Sequence, residues 1–160
     1  MSNPNPTISL NKDYLKSKAG ILRIFEAIIG ICGIICESVG GYCNYGGMYS
    51  FYNFVVVTTL IIAIIILIIY FFSLDQHLRF MCAFVNCPLT VFINDVIFTI
   101  LYLIAAILMF VTVFGCRYRQ VARIFASLFG VCGTIVVGLL AFDGYQLHRS
   151  AQSEPKSDPA

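Results

Sequence analysis

The chain has 160 residues, of which 59% are hydrophobic and only 11% are charged. A soluble domain carries about a quarter of its residues as Asp, Glu, Lys or Arg, so this composition excludes an ordinary soluble protein and predicts an integral membrane protein. The net charge of +2, spread over scattered basic residues, also argues against a nucleic-acid partner.

The N-terminal tail, residues 1–18, is polar and holds no apolar stretch of the kind found in a signal peptide. Its Asn and Pro residues predict disorder, and Lys12, Lys16 and Lys18 come directly before the first apolar segment. We therefore expect no cleavable signal peptide and a basic tail at the membrane surface.

The first membrane span is predicted over residues 19–36 and is the least apolar of the four. Arg23 and Glu26 lie in its first two turns, three residues apart, so they can meet on one helix face. Gly30 and Gly33 follow on a ridge of small residues, which suits the close approach of another helix.

The second span, residues 54–72, reads FVVVTTLIIAIIILIIYFF and contains no charge, Gly or Pro. At about 1.5 Å per residue, roughly 20 apolar residues cross a hydrocarbon layer of about 30 Å. A helix pairs its own backbone groups in lipid, so the run predicts a transmembrane helix rather than a strand. The preceding residues 37–53 are rich in Gly and aromatic side chains, which predicts a short loop with an aromatic belt at the bilayer edge.

The connection between the second and third spans, residues 73–94, has apolar residues at helical spacing with polar residues between them. The apolar positions are Leu74, Leu78, Met81 and Val85. They predict an amphipathic helix on the membrane surface that ends near Pro88. A packed loop fits the same residues equally well.

The third span is predicted over residues 95–114, with Asp95 at its head, and the fourth over residues 124–142. A tight basic loop with three arginines separates them, and residues 146–160 form a polar tail that we expect to be disordered. The predicted fold class is therefore an all-α membrane protein. It is a left-handed antiparallel bundle of four transmembrane helices with short loops, over residues 19–145.

Four spans place both chain ends on one side of the membrane, and Lys and Arg favour the cytosolic side. The tail side carries seven basic residues, in the tails, the start of the first span and the second connection, namely Lys12, Lys16, Lys18, Arg23, Arg79, Arg149 and Lys156. The last loop carries Arg117, Arg119 and Arg123, which count against this orientation. The balance predicts cytosolic tails.

The fourth span contains small residues spaced four apart, at Ala126, Gly130, Thr134 and Gly138. Such a stripe forms a groove in which another helix can pack closely. The partner is either internal, most simply the first span with its own Gly ridge, or a second protomer. We favour the internal partner, because the four spans must first pack with each other.

Arg23, Glu26 and Asp95 are the charged groups that lie within the predicted spans, with Asp95 as the first residue of the third. Charges in a bilayer are costly, so they are usually paired or functional. We expect Arg23 to pair with both acids as a structural clasp near the membrane surface. The alternative is an ion or proton site.

The seven cysteines form no C-x-x-C motif, so neither a thioredoxin-like site nor a zinc site is indicated. In the predicted topology Cys43 and Cys116 lie on the outer side, where a disulfide could survive. Cys82 and Cys87 are juxtamembrane and cytosolic, where S-acylation could occur. Free thiols are the alternative for both pairs.

The sequence contains no nucleophile elbow, phosphate-binding loop, deep pair of carboxylates or metal-ligand set. The loops are also too short to build an active-site domain. We therefore predict that the protein is not an enzyme and that it holds no cofactor or metal.

The chain resembles the MARVEL-domain proteins, the group that includes MAL, plasmolipin and the chemokine-like-factor-type membrane proteins. Three segments carry the resemblance: GILRIFEAIIG in the first span, INDVIFTILYLIAAILMF in the third and GLLAFDGYQLHR at the end of the fourth. It covers about residues 18–148. The absence of Trp and a rather long second connection depart from typical members.

The resemblance implies a non-enzymatic protein that organises membrane domains in vesicle trafficking, at cell junctions or at sites of membrane apposition and fusion. Its partners would be lipids, including cholesterol- or sphingolipid-rich membrane, and other transmembrane helices, with a homo-oligomer as one form. Its location would be the plasma membrane or secretory and endocytic vesicles.

Two other functions are the alternatives to this one. A small four-helix transporter or channel subunit would use Glu26 or Asp95. A claudin-type adhesion protein ranks low, because the first loop is too short for an extracellular sheet and lacks Trp.

Overall fold

The computed structural model describes residues 12–41, 45–72, 87–115 and 119–153. Within these residues the chain forms five helices and no strand. They are α1 (Lys12–Lys16), α2 (Lys18–Gly40), α3 (Gly46–Phe71), α4 (Cys87–Gly115) and α5 (Gln120–Ser153).

Four of these helices are long and apolar enough to cross a membrane. The membrane-spanning segments are Lys18–Gly40 in α2, Gly46–Phe71 in α3, Leu89–Gly115 in α4 and Gln120–Leu147 in α5. This confirms the predicted all-α fold with four transmembrane helices.

The spanning helices form a ring in which each helix packs against the next one along the chain. The contacts between α4 and α5 are the most extensive, and α5 also packs against α2, which closes the ring. The start of α2 lies beside the end of α5, where Lys18 contacts Asp143. The end of α2 lies beside the start of α5, where Arg123 contacts Gly40, so these two helices are antiparallel.

The largest aliphatic side chains point away from the bundle, and its interior is built from smaller or polar-tipped residues. Lipid tails are as apolar as Leu, so no hydrophobic force drives Ile and Leu inward, and close packing decides instead. The core cluster consists of Tyr49, Tyr52, Val55, Val56, Phe98, Tyr102, Ala105, Met109, Ala126 and Val137.

The helices extend beyond the predicted spans, and the predicted loop over residues 37–53 is mostly helical. Helix α2 continues to Gly40, and α3 already begins at Gly46. The Gly pair at 40–41 does end α2, with Gly41 at a positive φ of 67°, but the pair at 46–47 begins α3, where Tyr49 and Tyr52 are fully buried in the core. Packing of these rings overrides the weak helix propensity of the glycines.

The predicted disorder of both tails is wrong for the parts that the structure describes. Residues 12–16 form α1, which is joined to α2 through Ser17, whose hydroxyl accepts a hydrogen bond from the Gly20 N–H. Helix α5 continues to Ser153, since no Pro interrupts the chain before Pro155.

The predicted surface helix lies largely outside the described residues. Its expected end near Pro88 stays a prediction, since residues 73–86 are not described, and Pro88 itself is in the first turn of α4. Proline is well tolerated there, since the first-turn N–H groups have no partner within the helix.

Candidate functional site

The inward face of α2 carries polar and small residues in place of large apolar ones. The buried positions recur at spacings of three or four residues, and they are Gly20, Arg23, Glu26, Gly30, Gly33, Glu37 and Gly40. This spacing keeps one seam of the helix facing its neighbours. Three charged side chains therefore enter the bundle on a single helix.

The structure brings together the three charged residues that the sequence singled out. Arg23 Nη1 donates to Glu26 Oε2 at 2.9 Å, and Arg23 Nη2 lies 2.6 Å from Asp95 Oδ1 and 2.5 Å from Asp95 Oδ2. The three residues are only 2%, 1% and 2% exposed. We call this group the clasp, since it joins α2 to α4 at the end of the bundle where α2 begins and α5 ends, which we call the tail-side end.

The clasp is not balanced in charge when all its groups are ionised. Glu26 and Asp95 carry two negative charges against the one positive charge of Arg23. Glu26 Oε1 is also buried and has no hydrogen-bond partner among the described residues. The cluster therefore has an excess of negative charge and one unused acceptor.

A cavity of about 170 Å³ opens beside the clasp at the tail-side end. Arg23 and Asp95 form part of its wall, and Asp143 of α5 contributes a second carboxylate. The remaining wall is mostly apolar and includes the rings of Tyr70 and Phe92. We call this space the tail-side cavity.

Helix α1 folds back over the tail-side cavity. Tyr14 lines the cavity and stacks on Tyr70 of α3, with ring centroids 4.7 Å apart. A side chain at Gly20 would overlap the Tyr14 carbonyl oxygen, so glycine is required for α1 to pack here. Burial raises the pKa of Tyr14 to about 12, so the ring is neutral at physiological pH.

An ion pair lies at the edge of the same cavity. Lys18 Nζ is 2.7 Å from Asp143 Oδ1, with the Lys18 side chain 70% exposed and that of Asp143 19% exposed. An ion pair in which one partner is largely exposed contributes little to stability. Lys18 can therefore leave Asp143 at small cost.

The small-residue stripe of the fourth span faces an internal partner, as we favoured, but the partner is not the first span. A Cβ added at Gly130 would lie 3.0 Å from Ala106 Cβ, and one at Gly138 would lie 3.6 Å from Thr99 Cγ2. Both neighbours belong to α4. The sequence correctly indicated a close-packed face but not the helix that it meets.

The other two stripe residues, Ala126 and Thr134, take part in hydrogen bonds. Ala126 is fully buried, and its carbonyl oxygen accepts a hydrogen bond of 2.8 Å from the Tyr52 hydroxyl. The Thr134 hydroxyl donates to the Gly130 carbonyl of its own helix at 2.9 Å. Tyr52 thus ties α3 to α5 near the beginnings of these two helices.

Two arginines at the start of α5 cap the end of α2, a role that the sequence did not reveal. Arg123 is 1% exposed and donates through Nη2 to the carbonyl of Gly40 at 2.9 Å. Arg119, which adopts a positive φ of 53°, donates through Nη1 to the carbonyl of Val39 at 2.9 Å. Cations at a helix C-terminus satisfy its last carbonyls and the negative end of its dipole.

Glu37 is a second residue that the sequence analysis missed, because it was placed in the predicted loop. It is 3% exposed and faces the bundle interior. The alternating spacing that joins Arg23, Glu26, Gly30 and Gly33 continues to Glu37, and this pattern could have identified it.

The cysteine predictions remain predictions. Cys43, Cys82 and Cys116 lie outside the described residues, and Cys87 begins α4 with a side chain that is not described. In the part of the chain that the structure does describe, no group of three or more His, Cys, Asp or Glu side chains could hold a metal ion.

Comparison with known proteins agrees with this architecture. The chain is 29% identical over 146 residues to proteolipid protein 2 of Mus musculus, covering 91% of this chain and 86% of the relative. No solved structure matches the chain significantly. The family model for MARVEL, a membrane-associating domain, matches residues 14–142, so the chain belongs to the MARVEL family of four-span membrane proteins.

Proposed function

We propose that this protein is a non-enzymatic organiser of membrane domains that acts in vesicle trafficking, at cell junctions or at sites of membrane apposition and fusion. The observation that carries the proposal is the outward face of the bundle. Large apolar side chains cover this face, while the buried charges of Arg23, Glu26 and Asp95 are turned inward.

The surface chemistry limits the kinds of partner. An apolar outer face offers van der Waals contact to lipid chains and to other transmembrane helices. Differences in bilayer thickness and packing then sort such a protein among membranes. Lipids, other membrane helices and a second copy of the chain are the partners that we propose.

We place both tails in the cytosol and the protein in the plasma membrane or in secretory and endocytic vesicles. The basic residues of the tails support this orientation. Arg119 and Arg123, which argue against it by count, cap α2 and so have a structural reason to be where they are.

The proposal is tested by cross-linking and fluorescence of the full-length protein in native membranes. We expect self-association, or enrichment in particular lipid domains. A monomer that spreads evenly over all membranes would contradict the proposal.

The second candidate function is a small transporter or channel subunit. It is favoured by the unpartnered Glu26 Oε1 and by the tail-side cavity beside the clasp. It requires Glu26→Gln to abolish flux in reconstituted vesicles while the protein stays folded. Unchanged flux with reduced stability would instead support a clasp with a structural role.

A further inference from the structure

The tail-side cavity has a size, a wall and a charge that together select one kind of ligand. An apolar cavity of about 150 Å³ binds a molecule the size of benzene. The tail-side cavity, at about 170 Å³, therefore has room for one compact group but not for a whole lipid. The group must be the end of a molecule whose remainder lies outside.

The charge of the site favours a cation. Among the charged residues that line the cavity, one base, Arg23, faces two acids, Asp95 and Asp143. With all of them ionised, one negative charge is in excess. Both terminal nitrogens of Arg23 already donate to carboxylates, so its positive charge is already paired when a further anion approaches.

The wall favours a cation with an apolar surface. The rings of Tyr14, Tyr70 and Phe92 line the cavity together with aliphatic side chains. Aromatic rings attract cations and suit quaternary ammonium groups, whose methyl groups are themselves apolar. A plain hydrocarbon chain would instead cover carboxylates without compensating their charge.

We propose that the tail-side cavity binds the quaternary ammonium group of a choline lipid, which enters from the tail-side leaflet and replaces Lys18 beside Asp143. The exposed Lys18 side chain is the group that must move, and its contact with Asp143 is a weak one. Asp143 then acts as the counter-ion of the bound group. The inference rests on the proposed function in that it takes lipids as the partners of the protein.

The experiment uses the full-length protein in maltoside micelles, which contain no ammonium group. Phosphatidylcholine and phosphatidylglycerol with the same acyl chains are titrated separately, and retained lipid is counted by native mass spectrometry. We expect clear preference for the choline lipid. Equal retention of the two lipids would overturn the proposal.

Two opposite variants distinguish a binding role from a structural ion pair. Asp143→Asn removes the counter-ion, so binding of the choline lipid becomes about fivefold weaker. Lys18→Gln removes the competing cation, so binding stays equal or becomes tighter. If Lys18 and Asp143 merely hold the helices together, both variants lose lipid to the same extent, and the proposal fails.

A third variant tests the cavity without changing any charge. Ala19 lines the cavity, and Ala19→Leu fills part of it. We expect this variant to lose its preference for the choline lipid, and a retained preference would contradict the proposal.

A separate experiment with free choline in solution distinguishes the two sources of the ammonium group. Stabilisation by free choline equal to that by the lipid would exclude the lipid as the ligand.

Failure of this inference can be distinguished from failure of the proposed function. A protein that self-associates and sorts into domains but shows no preference for choline lipid loses this inference and keeps the proposed function. A protein with the preference but no self-association or sorting keeps this inference and loses the proposed function.

Discussion

Arg23 Nη2 contacts both carboxylate oxygens of Asp95, 72 residues further along the chain, at 2.6 and 2.5 Å. The same guanidinium reaches Glu26 through Nη1 at 2.9 Å. One arginine on α2 thereby joins the first and third spanning helices inside the bundle. We therefore expect the contact between Arg23 and Asp95 to contribute to the stability of the bundle.

Removal of the Asp95 charge should destabilise the bundle more than removal of the Lys18 charge at the same end. Asp95→Asn removes the ion pair that ties Arg23 to α4 and leaves Glu26 as the partner of the buried guanidinium, and loss of hydrogen bonds between charged groups costs about 1.5–3 kcal/mol. Thermal unfolding of the purified protein in detergent measures the effect. Lys18→Gln is the matched control, because it breaks an ion pair with a 70% exposed lysine and should cost less than about 1 kcal/mol. Equal losses in the two variants would contradict a structural clasp.

Two glycines of α5 should respond in opposite directions to the same substitution. A Cβ at Gly130 would lie 3.0 Å from Ala106 Cβ and 3.2 Å from its Cα, so α4 and α5 must move apart. Gly130→Ala should therefore destabilise the protein by about 1–3 kcal/mol. A Cβ at Gly138 meets Thr99 at an ordinary 3.6 Å. Gly138→Ala should be neutral or stabilising by up to about 1 kcal/mol, since Ala is the better helix former.

The melting temperatures of the two glycine variants, compared under the same detergent conditions, decide this prediction. Similar destabilisation by both would mean that the stripe acts as a whole. Destabilisation by Gly138→Ala alone would mean that the contact between α4 and α5 is closest at a different level of the bundle.

The clasp could be predicted from the sequence, because each charged residue within an apolar helix can be recognised from its own position. A charge within an apolar helix needs a partner, and Arg23, Glu26 and Asp95 were the charges within the predicted spans. The four helices were predictable for the same reason, since length and hydropathy alone determine whether a segment can cross a bilayer.

The partner of the small-residue stripe was not predictable, because spacing identifies a face of a helix but not its neighbour. Gly130 and Gly138 look alike in sequence, yet they meet Ala106 and Thr99 at different distances. The prediction of a loop over residues 37–53 was wrong for a related reason. Gly pairs favour turns, but burial of Tyr49 and Tyr52 is a tertiary effect that no local pattern contains.

The two arginines that cap α2 should contribute unequally. Arg123 is 1% exposed and bonds the Gly40 carbonyl, whereas Arg119 bonds the Val39 carbonyl from an exposed position. Arg123→Met leaves buried carbonyls unpaired, and we expect it to cost about 2–4 kcal/mol. Arg119→Met should cost less than about 1 kcal/mol. Unfolding in detergent and protease sensitivity near residue 41 report the difference, and equal effects would contradict it.

A single hydroxyl group in the core should have a measurable effect. Tyr52 is fully buried, and its hydroxyl donates a 2.8 Å hydrogen bond to the Ala126 carbonyl. Tyr52→Phe removes the donor and leaves the ring in place, so we expect a loss of about 0.5–1.5 kcal/mol in unfolding free energy. Tyr145→Phe is the control, because Tyr145 is 50% exposed and should change stability by no more than a few tenths of a kcal/mol. If the Tyr52 variant is as stable as the control, the link between α3 and α5 depends on ring packing rather than on the hydrogen bond.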